Sequence, residues 1–274
     1  MNSSYMLITG GLGGLGTAFA MECAQRGYNL LLVDRHPDGN AIINFLQDRF
    51  SVDIQYIPCN LADPDSRKAL LEDIHERQML FSGLINVVGQ EFEGRFLERS
   101  REEIFYMLQL NLHVMVDLTH EILVMRDETS RFLLVNVSSL AAFFPMPYKA
   151  LYAATKRFIL NFSLALRKEI ETFGNVTVLC PGGLPTNSEA MKKIFLQGFW
   201  GKMTAHDTAT VARKTLDYVK RNKAVYTPGF SNKVLVGLSR LLPEPWLAGY
   251  LSRLWSKKMD HLELWRLMEE QRSK

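Results

Sequence analysis

The residues with the most chemical promise are Ser139, Tyr152 and Lys156, in the stretch SLAAFFPMPYKALYAATK. Tyr152 follows Ser139 by thirteen residues, and Lys156 follows Tyr152 by four. Apolar residues recur at helical spacing between Leu151 and Ile170, as Leu151, Ala154, Phe158, Phe162, Ala165 and Leu166, so the segment reads as a helix. Positions four apart share a helical face, which points the Tyr152 phenol and the Lys156 ammonium the same way. A neighbouring cation favours the phenolate and lowers a tyrosine from its ordinary value of about 10. A phenol tuned in that way can give or take a proton near neutral pH, the task of a general acid/base. Ser139 leaves the end of the preceding strand, in place to hydrogen-bond the oxygen being protonated. Taken alone, the pair also reads as an exposed tyrosine with a solvated lysine one turn away.

These side chains need a frame, and the sequence supplies one. Tyr5 to Thr9 is a short apolar strand that stops at GGLGGLG, and Thr17 to Arg26 is helical. Gly11, Gly13 and Gly16 fit G-x-G-x-x-G. Such glycines allow a tight turn and close backbone approach, and the helix start then offers N–H groups to a pyrophosphate. Asn29 to Asp34 is a second strand whose terminal acid lies twenty residues past Gly14, where a ribose 2′-hydroxyl is held. Asp34 accepts from a ribose diol and repels a 2′-phosphate, whereas Arg35 could grip that phosphate. The carboxylate acts at the ribose itself, so NAD(H) is expected, with NADP(H) the alternative.

Strands and helices keep alternating. Asp53 to Pro58, Leu84 to Val88, Arg131 to Ser138, Asn175 to Cys180 and Ala224 to Thr227 read as further strands. Asn60-Leu61 follows the third strand, where an amide could meet an adenine edge, and Gly89 follows the fourth. Continuous apolar strands between helices indicate a parallel sheet covered on both faces, with ligands at the carboxyl ends of the strands. The expectation is an α/β fold: one doubly wound parallel sheet of about seven strands, over residues 1–230. Arg101 to Arg126 reads as one long helix holding Asn111, whose amide must find partners for bridging water or a loop. Pro181, Gly182 and Gly183 turn the chain after the sixth strand, and Thr186 could there bond a nicotinamide carboxamide. Asn187 to Met203 reads as a substrate lid with an apolar stripe of Met191, Ile194, Phe195, Phe199 and Trp200, near Phe143, Phe144 and Met146. A lipophilic substrate would fit between them; core or dimer contacts explain the same stripes.

Residues 231–274 differ: they are apolar, helical, broken by Pro243 and Pro245, and basic. Such a helical extension can lie on an anionic membrane, pack on its own domain or pair with a second subunit. The whole chain of 274 residues carries a net charge of only +3, which implies no nucleic-acid partner. Its three cysteines have no metal-ligand spacing, so no metal is expected. The N-terminus lacks the basic and apolar regions of a secretory signal, and no stretch of about 20 residues is free of charge and proline. A cytoplasmic protein is the expectation, its tail packed on its own domain or on a second subunit, with peripheral membrane contact through the tail the alternative.

Together these residues resemble the short-chain dehydrogenase/reductase family. The glycine loop matches T-G-x-x-x-G-x-G as Thr9, Gly10, Gly14 and Gly16; Asn111, Ser139, the Tyr152/Lys156 pair and the proline–glycine turn to Thr186 follow in the family's order. The resemblance spans roughly residues 5 to 190. The middle and the tail, including PGFSNK, look most like the branch of 17β-hydroxysteroid and 3-ketoacyl reductases. It implies a Rossmann-type fold, catalysis by Asn111, Ser139, Tyr152 and Lys156, and a homodimer or homotetramer. It places the dinucleotide along Gly10, Leu12, Gly13, Gly14, Leu15 and Gly16, then at Asp34, Arg35, Asn60, Leu61, Val88 and Gly89. Tyr152, Lys156, Pro181, Gly182, Leu184 and Thr186 complete that set. The implied substrate is a small lipophilic carbonyl or alcohol. A 3-oxoacyl reductase is the narrower alternative, and a non-catalytic dinucleotide sensor or scaffold the alternative of another class. Two positions depart from the family: N-N-A-G reads Asn86-Val87-Val88-Gly89, and the third strand ends in Asn60-Leu61. Within that branch Arg35 is the expected residue and Asp34 the unusual one.

Overall fold

The computed structural model describes residues 4–186, 191 and 204–256. The strands are β1 (Ser4–Thr9), β2 (Asn29–Asp34), β3 (Ile54–Pro58), β4 (Leu80–Asn86), β5 (Phe132–Val137), β6 (Gly174–Leu179) and β7 (Val225–Tyr226). They form one parallel sheet in the order β3-β2-β1-β4-β5-β6-β7. The strand order therefore reverses between β1 and β4, the crevice where open sheets of this kind bind ligands.

Successive residues of each strand face opposite sides, and both sides are dry. Ile8, Leu30 and Leu32 join one core cluster with α1 (Gly14–Gln25), α2 (Asn40–Gln47) and α7 (Thr208–Lys220). Leu7, Leu31 and Val33 join the other with α3 (Pro64–Glu76) and α5 (Val114–Val124). The 20-residue α6 (Ala150–Glu169) and α4 (Arg101–Leu108) complete that side. α8 (Phe230–Ser239) and a helix over residues 244–256 form the described part of the extension.

Two expected boundaries shift. The helix anticipated over residues 101–126 is two helices, α4 and α5, joined by a π-helical turn at Gln109–His113. Strand β4 ends at Asn86 instead of Val88, because the Thr9 hydroxyl accepts from the N–H groups of Val87 (3.0 Å) and Val88 (3.2 Å). Thr9 thus bridges β1 and β4 where the sheet opens.

Under that opening runs a dry chain of polar side chains. Asn86 Nδ2 donates to Thr119 Oγ1 at 3.1 Å and to Asn136 Oδ1 at 2.8 Å, and Asn136 Nδ2 donates to Ser163 Oγ at 2.8 Å. All four are buried. A buried donor left without its partner costs about 1–3 kcal/mol. Asn136→Ala is therefore expected to lower unfolding stability by at least that much in chemical denaturation. Asn86→Ala with Asn136→Ala should cost less than the sum of the two.

Candidate active site

The crevice floor is built from glycines that packing demands. Gly10 sits at φ 67°, a conformation glycine adopts without strain, and its N–H donates to the Val33 carbonyl at 2.7 Å. A Cβ at Gly16 would stand 1.9 Å from the Gly10 carbonyl oxygen, and one at Gly14 2.5 Å from the carbonyl oxygen of Thr186. The turn after β6 therefore lies directly over the loop. Helix α1 starts with no side-chain cap and no acidic residue in its first turn, so the first N–H groups, those of Gly14, Leu15 and Gly16, present a positive helix end.

The remaining expected cofactor residues come from the strand ends, and not all of them face this floor. Asp34 is half-buried, its carboxylate fixed by the N–H groups of Leu12 (3.1 Å) and His36 (3.2 Å). Arg35 is exposed. Asn60 is exposed as well, and its Oδ1 accepts from Ala62 N–H at 3.3 Å, closing a local turn. Leu61 is buried in the core, and its carbonyl accepts from Arg67 at 2.6 Å. Val88 packs on Gly10, and Gly89 is exposed. The Pro181 carbonyl accepts from Leu140 N–H at 2.7 Å, a Cβ at Gly182 would meet the Thr204 carbonyl oxygen at 2.4 Å, and Leu184 packs on the core. An uncapped helix end, a fixed carboxylate and a glycine floor suit a dinucleotide's pyrophosphate and ribose. The expected lid, Asn187–Met203, lies outside the described residues apart from an exposed Met191.

The four candidate catalytic residues meet beside this floor. Lys156 is only 4% exposed, and its Nζ donates to the Val137 carbonyl at 3.0 Å. Burial pushes it down to about 8. Asn111 lies in the π-helical turn, where the widened backbone turns its amide inward. Its Oδ1 accepts from Gln90 N–H at 2.7 Å, and its Nδ2 donates to the Gln90 carbonyl at 2.9 Å and to Thr155 Oγ1 at 3.2 Å. A Cβ on Gly89 would lie 3.2 Å from Asn111 Oδ1 and 3.3 Å from Lys156 Nζ, so glycine keeps those two groups close. Ser139 caps the short turn Leu140–Phe143, accepting from Ala141 N–H at 3.1 Å, and hydrogen-bonds the half-buried Tyr152.

One expectation is corrected. Tyr152 is raised, not lowered, from its ordinary value. Burial is the main cause, the charge of Glu91 adds to it, and the Ser139 hydrogen bond works the other way. The Lys156 ammonium lies 5.7 Å from the phenol ring centre and is engaged by Val137.

Sequence reasoning missed Glu91, Glu93 and Lys149. Tyr148, at a strained φ of 65°, turns the chain into α6 and sets Lys149 against the loop after β4. There Lys149 pairs with both carboxylates, while the Trp255 ring covers its Nζ at 4.9 Å. The only signal was two acids alternating with apolar residues in QEFEG.

The family model for short chain dehydrogenases matches residues 4–195. Hydroxysteroid dehydrogenase-like protein 1 of Gallus gallus is 26% identical over 263 residues, 93% of this chain and 77% of the relative. The very-long-chain 3-oxoacyl-CoA reductase of Mus musculus is 27% identical over 224 residues, 78% of this chain but 63% of the relative's own length. Among solved structures, the 3-oxoacyl-[acyl-carrier protein] reductase of Brucella melitensis in complex with NAD superposes with a TM-score of 0.73 at 20% identity. It covers 85% of this chain and 98% of that one. A sheet reversed at a glycine loop, a Tyr-x-x-x-Lys pair at its carboxyl edge and a model match over most of its length place this chain in the short chain dehydrogenase family.

Proposed function

We propose that the protein is an NAD(P)-dependent oxidoreductase moving a hydride between nicotinamide and the carbonyl or carbinol carbon of a lipophilic substrate. The convergence of Ser139, Tyr152, Lys156 and Asn111 beside the glycine floor carries this reading. The bound dinucleotide supplies the hydride. Tyr152 is the proton donor to the substrate oxygen, and a phenol held above its ordinary value stays protonated through neutral pH, which suits reduction. Ser139 orients the same oxygen. Lys156 presents its ammonium to the nicotinamide ribose. Asn111 fixes Gln90 and Thr155 and links the crevice to the water outside. Preformed donors around the developing oxyanion supply the largest part of the acceleration.

Within this reading the substrate is a neutral ketone or a 3-oxoacyl group, the latter supported by the likeness to the mouse reductase. A pure sensor gains nothing from an ammonium kept out of water. Asp34, fixed at the ribose end, favours NAD, and the exposed Arg35 leaves NADP as second choice. We assign residues 1–230 to the catalytic domain and 231–274 to an extension. Among the described residues no helix is long and apolar enough to cross a membrane. The extension does present Leu238, Leu241, Trp246, Tyr250 and Leu254 to the surface beside Lys233, Arg240 and Arg253. That face suits peripheral contact with an anionic membrane from the cytoplasmic side. Exposed Phe105 and Phe158 on α4 and α6 suit a homo-oligomer.

Tyr152→Phe should bind NADH normally in calorimetry and lose turnover of a ketone panel by about 10²–10⁴-fold, the usual worth of a positioned acid; near-normal turnover refutes the role. Asp34→Ala should shift the NAD-to-NADP affinity ratio at least about tenfold toward NADP, which is about 1.4 kcal/mol. Lys156→Met should melt higher than the parent protein at pH 7, since it removes a buried charge. A folded-state value near 8 against an unfolded value of about 10.4 makes the parent gain stability as pH rises between them. The advantage of Lys156→Met should therefore shrink across that window, as melts at pH 7 and pH 10 would show.

A further inference from the structure

Beside the catalytic residues stands a charge cluster that the proposed hydride transfer does not use. Lys149 is 9% exposed, and its ammonium is shared by Glu91 and Glu93, from the loop after β4. The indole of Trp255 covers that ammonium, as cations favour the face of a tryptophan. One ammonium against two carboxylates leaves an excess of negative charge. Glu93 is 11% exposed and Glu91 34%, so Glu91 is the more accessible of the two carboxylates. Its Oε1 takes the bond from Lys149, and its Oε2 makes no hydrogen bond among the described residues.

Glu91 cannot swing away from the reacting centre. Its neighbour Gln90 is held through both backbone groups by the Asn111 amide, at 2.7 and 2.9 Å. Gly89 lies against the Lys156 ammonium. Lys149 then clamps the Glu91 side chain itself. The Glu91 charge reaches both the Tyr152 phenol and Lys156. Lys156 is engaged by the Val137 carbonyl, and the nearby Arg99 guanidinium is paired with Glu103 at 3.3 Å. A fixed, partly desolvated carboxylate beside the proton donor repels an anionic group on the substrate much more strongly than it would in bulk water. Discrimination built from such a repulsive element is a common device of selective sites.

We propose that Glu91, clamped by Lys149 under Trp255, determines substrate specificity by rejecting carbonyl compounds that carry an anionic group next to the reacting carbon and admitting their neutral esters, thioesters and ketones. This rests on the reading that the site reduces or oxidises a carbonyl group.

The test compares 3-oxooctanoate with its methyl ester, which differ in one charge close to the ketone. The parent protein is expected to favour the ester in kcat/KM. Glu91→Gln keeps an acceptor for Lys149 and removes the charge; it should raise the acid-to-ester ratio of kcat/KM about 10–100-fold. Glu93→Gln removes the same charge from the deeper position and should leave that ratio within about threefold. The parent's KM for the acid should also fall as salt screens the repulsion, while that for the ester should not. An unchanged ratio in Glu91→Gln, or equal changes in the two variants, overturns the proposal. If Glu91→Gln fails to fold, the salt dependence of the parent decides. Should the parent turn over neither compound with NADH or NADPH, the oxidoreductase reading fails separately. Calorimetric binding of the two compounds to parent and Glu91→Gln then judges Glu91, and absence of a preference for the ester in the parent, including no binding of either compound, overturns it.

Discussion

A lysine ammonium held almost wholly out of water is a demanding group to bury, and much of the crevice is arranged to tolerate it. Lys156 has one carbonyl partner, from Val137 at the end of β5. An isolated buried charge is costly, and the value of about 8 records that cost. Gly89 gives the ammonium room, and Asn111 fills the neighbouring space with an amide already satisfied by Gln90 and Thr155. Thr155 in turn donates to the Tyr152 carbonyl at 2.8 Å. Three elements that are far apart in the chain are thus tied to one point: the loop after β4, the turn between α4 and α5, and α6.

Below that point the sheet is stitched across its middle by side chains where oil would pack more simply. Asn86 and Asn136 face each other on β4 and β5 and reach Thr119 and Ser163 on the covering helices. Such a network is satisfied only in one register, because a slip of one residue would point each amide to the opposite face. Its chemistry therefore helps to align the strand ends from which Val87, Val88 and Ser139 emerge. Thr9 performs the same service between β1 and β4.

Most of the frame was legible in the sequence because parallel strands buried on both faces leave unbroken apolar runs between helices. The glycine loop was legible for a related reason: only glycine survives where carbonyl oxygens stand under 3 Å from a would-be Cβ. What stayed hidden depends on residues that meet only after folding. Val87 and Val88 extend an apolar run, yet their N–H groups belong to Thr9, which lies 78 residues before Val87 in the chain but adjacent in space. The break at Asn111 follows from partners on the loop after β4 and on α6, and nothing in LQLNLHV announces it. The spacing of Tyr152 and Lys156 gave their shared face correctly. It could not show that folding would bury the phenol and raise it, with Glu91 arriving from a distant loop to push it further the same way.

The indole of Trp255 belongs to the extension, yet it rests on the lysine that clamps the rim of the reaction centre. The last described helix, residues 244–256, is accordingly part of the rim, and the way it seats on its own domain bears on how firmly Lys149 holds Glu91 and Glu93.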